Sequence, residues 1–333
     1  MPPHHAYLRA ILDELAARAE RFPGTLVSIY LGGGTPSLWE VDCIAAVIEA
    51  VRAHYRPGAC EVTIEANPTD CTPHALAAWR AAGITRVSIG VQSLDARELV
   101  VLGRDHRFGD GRAAVERSLA AGFVTSADFI MGTPGGRAEV ATLPADHLSV
   151  YELTIEERTA FGKRVRDGRL VPRDEDTLAT LYTQTHDKLT AAGFDHYEIS
   201  SYARPGKRAV HNSLYWRGAP FLGLGVGAAS LERLPDGSGL RATNPRRSAA
   251  YLAAPGEAAE TLTISPAEMA ADRAWLGLRT ADGVEEVDLA AAAGVVPWLL
   301  TEGLAERRGG RICPTLRGFL MADRIAARIV QAW

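Results

Sequence analysis

LVSIYLGGGTPS, residues 26–37, runs an apolar, β-branched segment straight into three glycines, Thr35 and Pro36. The run reads as a buried strand. The glycines remove every Cβ where it stops, so backbone N–H groups there can approach a ligand closely. The same pattern recurs in VTIEANP (62–68), RVSIGVQS (86–93), SADFIMGTPG (126–135) and HLSVYELT (147–154). Five strands that each end in polar or glycine residues predict a parallel α/β sheet with its site at the C-terminal strand ends.

The spacing of apolar residues supplies the rest of the frame. Helices are expected over 5–22, near 38–55, and over 73–82, 96–103, 110–121 and 174–192. GGRAEVATLPAD, between Gly135 and the strand at 147, is short for a parallel crossover and leaves little room for a helix. HYEISSYA (196–203) reads as one more strand. Pro205 and Gly206 then open a second region containing HNSLYW (211–216), FLGLGVGAAS (221–230) and a polar loop at 234–239. The tail from 265 is helical with a hairpin-like piece, LAERRGGRICPT (304–315), which suggests a winged helix. The expected division is 1–203, 204–262 and 263–333.

Composition narrows the function classes. A chain of 333 residues with a formal charge of -4 carries no global attraction for nucleic acid or an anionic membrane. Lysine occurs only at Lys163, Lys188 and Lys207, a coding bias towards arginine. The tail mixes its charges, with Glu302, Glu306 and Asp323 among them, which favours a packing role over DNA binding. No stretch is long and apolar enough to span a bilayer. Four cysteines in a chain this long argue against a disulfide scaffold, so a reduced, cytoplasmic protein is expected. GGGTP lacks the lysine and hydroxyl pattern of a P-loop, which disfavours a nucleotide-triphosphate site.

Taken together and in order, GGGTP (32–36), IEANP (64–68), GVQS (90–93), LGRDH (102–106), GTPG (132–135) and HNSLYW (211–216) resemble the radical S-adenosylmethionine proteins of the oxygen-independent coproporphyrinogen III oxidase group, in its heme-chaperone branch. The resemblance covers essentially the whole chain. It implies a (β/α)6-type radical SAM barrel, here lacking its first strand, followed by a smaller winged domain. It also implies S-adenosylmethionine over the strand ends, with Gly33, Gly34 and Thr35 holding the methionine amino group and Glu65, Gln92, Arg104 and Asp128 contacting the rest. A cationic amine needs carboxylates nearby, a carboxylate suits arginine, and ribose hydroxyls suit aspartate or glutamine.

The resemblance further implies a 4Fe-4S cluster on a Cys-x3-Cys-x2-Cys loop. The sequence has only Cys43, Cys60, Cys71 and Cys313, and no pair has that spacing. They read as isolated thiols, and no residue is assigned to the cluster. PPHHAYLRAILDEL resembles the segment just downstream of the cysteine loop, so the chain reads as starting one strand too late. A strand 26–33 without its partner is expected to expose unpaired backbone groups and to lower solubility. Ala229 stands where the group usually has histidine.

The HNxxYW pattern implies heme binding through His211, Asn212, Tyr215 and Trp216. Neutral imidazole is a good iron ligand, and the two aromatics suit a porphyrin face. Without the resemblance, the segment reads as a polar loop with two core aromatics. Cys313-Pro314 in the expected wing reads as structural. His106 reads as a capping or solvent histidine as readily as a site residue, His4 and His5 carry little weight, and Tyr197 and Glu198 read as residues that orient the last strand. The function implied is a heme-binding chaperone serving respiratory heme proteins. The alternative is a radical SAM enzyme of porphyrin metabolism whose cluster-binding segment is not in this sequence.

Overall fold

The computed structural model describes residues 3–56, 58–104, 107, 109–134, 143–292 and 294–333. Expectations resting on Asp105, His106 and the crossover after Pro134 fall outside the described residues.

In chain order, α1 (His4–Arg18) leads to β1 (Ser28–Leu31), α2 (Val41–His54), β2 (Glu61–Ala66), α3 (Pro73–Ala81) and β3 (Arg86–Gln92). Helices α4 (Ala96–Val101) and α5 (Asp110–Ala120) precede β4 (Val124–Met131) and β5 (His147–Glu152). Then come α6 (Ala160–Arg166), α7 (Glu175–Ala191), β6 (Asp195–Glu198) and β7 (Ser201–Ala203). The remainder is α8 (Val210–Trp216), β8 (Ala229–Arg233), β9 (Gly239–Thr243), α9 (Ser248–Ala253), β10 (Glu260–Ile264) and α10 (Pro266–Gly277). It ends with β11 (Val284–Glu285), α11 (Val295–Thr301), β12 (Ala305–Arg308), β13 (Arg311–Pro314), α12 (Leu316–Leu320) and α13 (Ala322–Ala332).

Side chains fix many of these starts. Thr72 caps α3 by accepting from Ala75 N, with Pro73 at the first helical position. Asp174 does the same for α7. Ser265 and Glu268 close a reciprocal capping box on α10, again followed by Pro266.

The chain divides into two compact units: one of 30–38 and 62–209, the other of 1–29, 39–61 and 210–333. The 62–209 unit is built on a seven-stranded sheet of order β1-β2-β3-β4-β5-β7-β6. Strands β2 to β5 run parallel, whereas β7 is antiparallel to both β5 and β6. The sequence had suggested one strand over 196–203. The structure breaks it into a tight hairpin, because Ile199 O is held by Tyr182 Oη at 2.7 Å and Ser200 O accepts from Val150 N at 2.7 Å. Helix α6 is an element that sequence reading missed, although Thr159 caps it through Gly162 N.

The 210–333 unit holds a three-stranded antiparallel sheet, β10-β9-β8, and a second, β11-β13-β12, among the last helices. Leu278, Leu289, Leu299, Ile312 and Ile329 centre its largest core. The hairpin over 304–315 is present as β12 and β13. Exposed pairs Arg307–Glu286 and Arg311–Glu285 offset the charge of that small sheet. HNSLYW is the helix α8 and not a loop.

Candidate functional site

Strands β2 to β5 sort their side chains by period two. Val62, Ile64, Val87, Ile89, Ala127, Phe129, Leu148 and Val150 are buried apolar residues on one face. Glu65, Ser88, Asp128 and Ser149 alternate with them and share the opposite face. The register sets Glu65 against Ser88 and Asp128 against Ser149.

At the ends of these strands Glu65 is tied down twice. Its Oε1 accepts from Tyr30 Oη at 2.7 Å and its Oε2 from Gly33 N at 3.1 Å. A Cβ on Gly32 would lie 2.5 Å from the Tyr30 ring and 2.9 Å from Glu65 Oε1, so glycine is required there. Gly33 and Gly34 sit at φ +80° and +74°, and a Cβ at either would point into open space. The loop therefore presents bare backbone beside a fixed carboxylate.

Asp128 Oδ2 accepts from Ser88 Oγ at 3.0 Å. Burial pushes its carboxyl up to about 6, against hydrogen bonds from Ser149 and Ser88 that pull it down, with the Glu65 charge adding to the rise. Burial also raises the Tyr30 and Tyr151 hydroxyls. Gln92 has a left-handed backbone (φ 64°) at a register shift in β3. Its amide folds back over Gly90, where a Cβ would meet Nε2 at 2.7 Å.

Glu65, Gly33, Asp128 and Gln92 thus share one face and its rim. Thr35 turns the chain, its carbonyl accepting from Leu38 N. Arg104 lies in the exposed turn after α4, its N–H donating to Leu99 O. Among the described residues its side chain makes no hydrogen bond to the Glu65–Asp128 group. Sequence reading missed Tyr30, Ser88, Ser149 and Tyr151. The alternation of polar with apolar residues inside each strand was the signal for them.

At the opposite end of the same face, Arg86 donates to Ser126 Oγ and to the carbonyls of Lys207 and Arg208, each at 3.0 Å. His147 Nε2 lies 2.8 Å from the Tyr197 hydroxyl. Burial, then the Arg86 charge, holds His147 down at about 3.

In the other unit, α8 is anchored through His211. Its N–H donates to Glu61 Oε1 at 3.0 Å, Nδ1 lies 3.0 Å from Ser28 Oγ, and Nε2 lies 3.2 Å from Tyr215 Oη. Burial lowers the imidazole, opposed by the Glu61 charge, which favours the neutral, ligating form. Tyr215 packs edge-on against Phe221 with ring centroids 4.7 Å apart. The Arg279 guanidinium sits 4.8 Å from the Trp216 ring, and Trp216 Nε1 is buried with no hydrogen-bond partner among the described residues. Asn212 is one position on from His211 and shares the helical row of Trp216.

The cysteines gather nowhere as a set of three. Cys43 is in α2, Cys60 leads into β2, Cys71 follows β2 with Sγ donating to Asn67 O, and Cys313 is in β13; all four are free. These residues do not fit an iron–sulfur cluster.

A family model described as the radical SAM superfamily matches residues 3–139. The chain is 36% identical to the heme chaperone HemW of Mycobacterium tuberculosis, over 97% of this chain and 85% of that protein. It is 35% identical to the heme chaperone HemW of Escherichia coli, over 75% of this chain and 68% of that protein. The solved structure of coproporphyrinogen III oxidase (HemN) from Escherichia coli, a radical SAM enzyme, matches with a TM-score of 0.78 at 22% identity. That match covers 98% of this chain and 83% of the HemN chain, and it fixes the fold.

Proposed function

The chain belongs to the radical SAM superfamily, in its HemW group, and on that premise we propose that it binds heme and hands it to respiratory heme proteins. The observation that carries the proposal is the HNxxYW helix. Burial keeps the His211 imidazole neutral, Ser28 orients its ring, Glu61 anchors its backbone N–H, and Tyr215 stands one turn away with Trp216 next to it. Iron ligation through Nε2 requires the Tyr215 hydroxyl to give up its contact. No helix among the described residues is long and apolar enough to cross a membrane. Four free thiols suit a reducing, cytoplasmic setting.

The test is titration of the purified chain with hemin. The expected result is a bound heme with a shifted Soret band, lost or altered in His211→Ala. An unchanged band in that variant removes His211 as the ligand, and no binding by the parent chain removes the reading.

S-adenosylmethionine fits the rim of the sheet. Gly33 and Gly34 leave space that a Cβ would fill, Glu65 offers a fixed negative charge to an amine, and Asp128 offers an acceptor to hydroxyls. When bound, that ligand supplies a sulfonium centre. This chain's part is to orient it: Tyr30 and the Gly33 N–H hold the Glu65 carboxylate in place beforehand. Glu65→Gln keeps the shape and removes the charge. Its affinity for S-adenosylmethionine, measured by calorimetry, is expected to fall about 10- to 100-fold, the worth of one charge-assisted hydrogen bond. An unchanged affinity assigns the amine elsewhere. The variant is expected to leave the hemin titration as it was.

A further inference from the structure

We propose that His5, Glu40 and Cys43 form a binding site for a divalent cation of the zinc class. The three donors come from two neighbouring helix starts in one unit. His5 lies in the first turn of α1, Glu40 is the residue just before α2, and Cys43 follows Glu40 by three positions. Their ligand atoms all lie within 4.8 Å of one another. His5 Nδ1 is 3.8 Å from Cys43 Sγ, and His5 Nε2 is 3.4 Å from Glu40 Oε2.

The two distances use different ring nitrogens, and one ion takes only one of them, so the exposed His5 and Glu40 side chains close on it from within the 4.8 Å that separates the three donors. With zinc–sulfur near 2.3 Å and zinc–nitrogen or –oxygen near 2.0–2.1 Å, tetrahedral ligands stand roughly 3.3–3.7 Å apart. A sulfur, an imidazole and a carboxylate select a borderline-soft ion over magnesium or calcium, which take oxygen alone.

Charge balances as well. The cation displaces the Cys43 proton to solvent as the sulfur–metal bond forms, and thiolate plus carboxylate then offset its two charges. Cys43 is wholly buried while His5 and Glu40 are exposed, so solvent can complete the coordination on the open side. His4 Nδ1 accepts from the Glu40 N–H at 3.2 Å, which fixes the backbone where α2 begins.

The experiment is titration of the chelator-treated chain with cobalt(II), read by the thiolate-to-cobalt charge-transfer band. One ion per chain, displaced by zinc, is the expected result. Cys43→Ser should abolish the band, and His5→Ala should weaken binding roughly tenfold or more. Cys60→Ser should leave it untouched. His5 is exposed, so its variant keeps the fold and decides the matter if Cys43→Ser does not fold. No band in the parent chain, or full affinity in His5→Ala, overturns the site.

Discussion

Replacing Glu14 by alanine is expected to lower the unfolding free energy of the 210–333 unit by about 3–5 kcal/mol, the usual loss when one partner of a buried ion pair is deleted. Glu14 is 0% exposed and Arg18 4%. Every oxygen of Glu14 is used. Oε1 accepts from Arg18 Nη1 at 2.6 Å and from Asn244 Nδ2 at 2.7 Å, and Oε2 accepts from Tyr251 Oη at 2.7 Å and Gly225 N at 2.8 Å. Arg18 also donates to Ser230 Oγ at 2.8 Å. The network ties α1 to the FLGLGVGAAS segment and to α9. Alanine removes the negative charge and leaves a buried guanidinium without its counter-ion. Urea denaturation reads the loss. The double variant Glu14→Leu/Arg18→Met removes the stranded charge and is expected to recover only part of the loss, since Asn244, Tyr251 and the Gly225 N–H then lack their acceptor. A loss under about 1 kcal/mol in Glu14→Ala means that water or another anion reaches Arg18.

That network shows where a sequence stops being readable. Glu14 and Arg18 stand four apart on a helix, which from spacing alone is an ordinary surface pair. Only the chain 230 and 237 residues downstream buries it, through Asn244 and Tyr251. The strand ends were legible because glycine and polar residues there break an apolar run locally, as at Gly33, Glu65 and Asp128. The polar face behind them was equally local, written in the alternation of EVTIEA and HLSVYE, but reading those runs as uniformly apolar hid it. HNSLYW reads as a loop because it has no capping residue and no apolar period. It is helical because Glu61 takes the His211 N–H and Ser28 takes its ring, both non-local contacts. The pairing of His5 with Cys43, 38 residues apart, is invisible for the same reason.

Acid is expected to destabilise the fold by at least about 1.4 kcal/mol per pH unit between roughly pH 6 and pH 4.5, a slope that follows from proton counting. His147 and His196 are held down by burial, at about 3 and about 4, from an ordinary 6.5. Arg86 adds to the first effect. For His196 the neighbouring His186, with the two Nδ1 atoms 2.9 Å apart, opposes the contacts to the Ile199 and Glu198 backbone. As pH falls through this window the unfolded chain takes up two protons on these rings and the folded chain takes up neither, so stability is lost. Asp128 works in the opposite sense. Its folded value of about 6 lies above the ordinary 3.8, so the folded chain gains one proton that the unfolded chain does not. Two protons against one leave a net uptake of at least one on unfolding, and His211, also held down by burial, adds to it. The variants separate the contributions. His147→Gln should make the profile shallower by about one proton. Asp128→Asn should make it steeper by about one proton, because nothing then offsets the histidines. Urea midpoints at pH 6.5, 5.5 and 4.5 measure all three chains. A parent whose stability holds level or rises as the solution is acidified would mean that the two imidazoles are already charged in the folded protein. The same proton bears on the proposed ligand site: below about pH 6 the Asp128 carboxyl gains a donor hydroxyl and loses its charge.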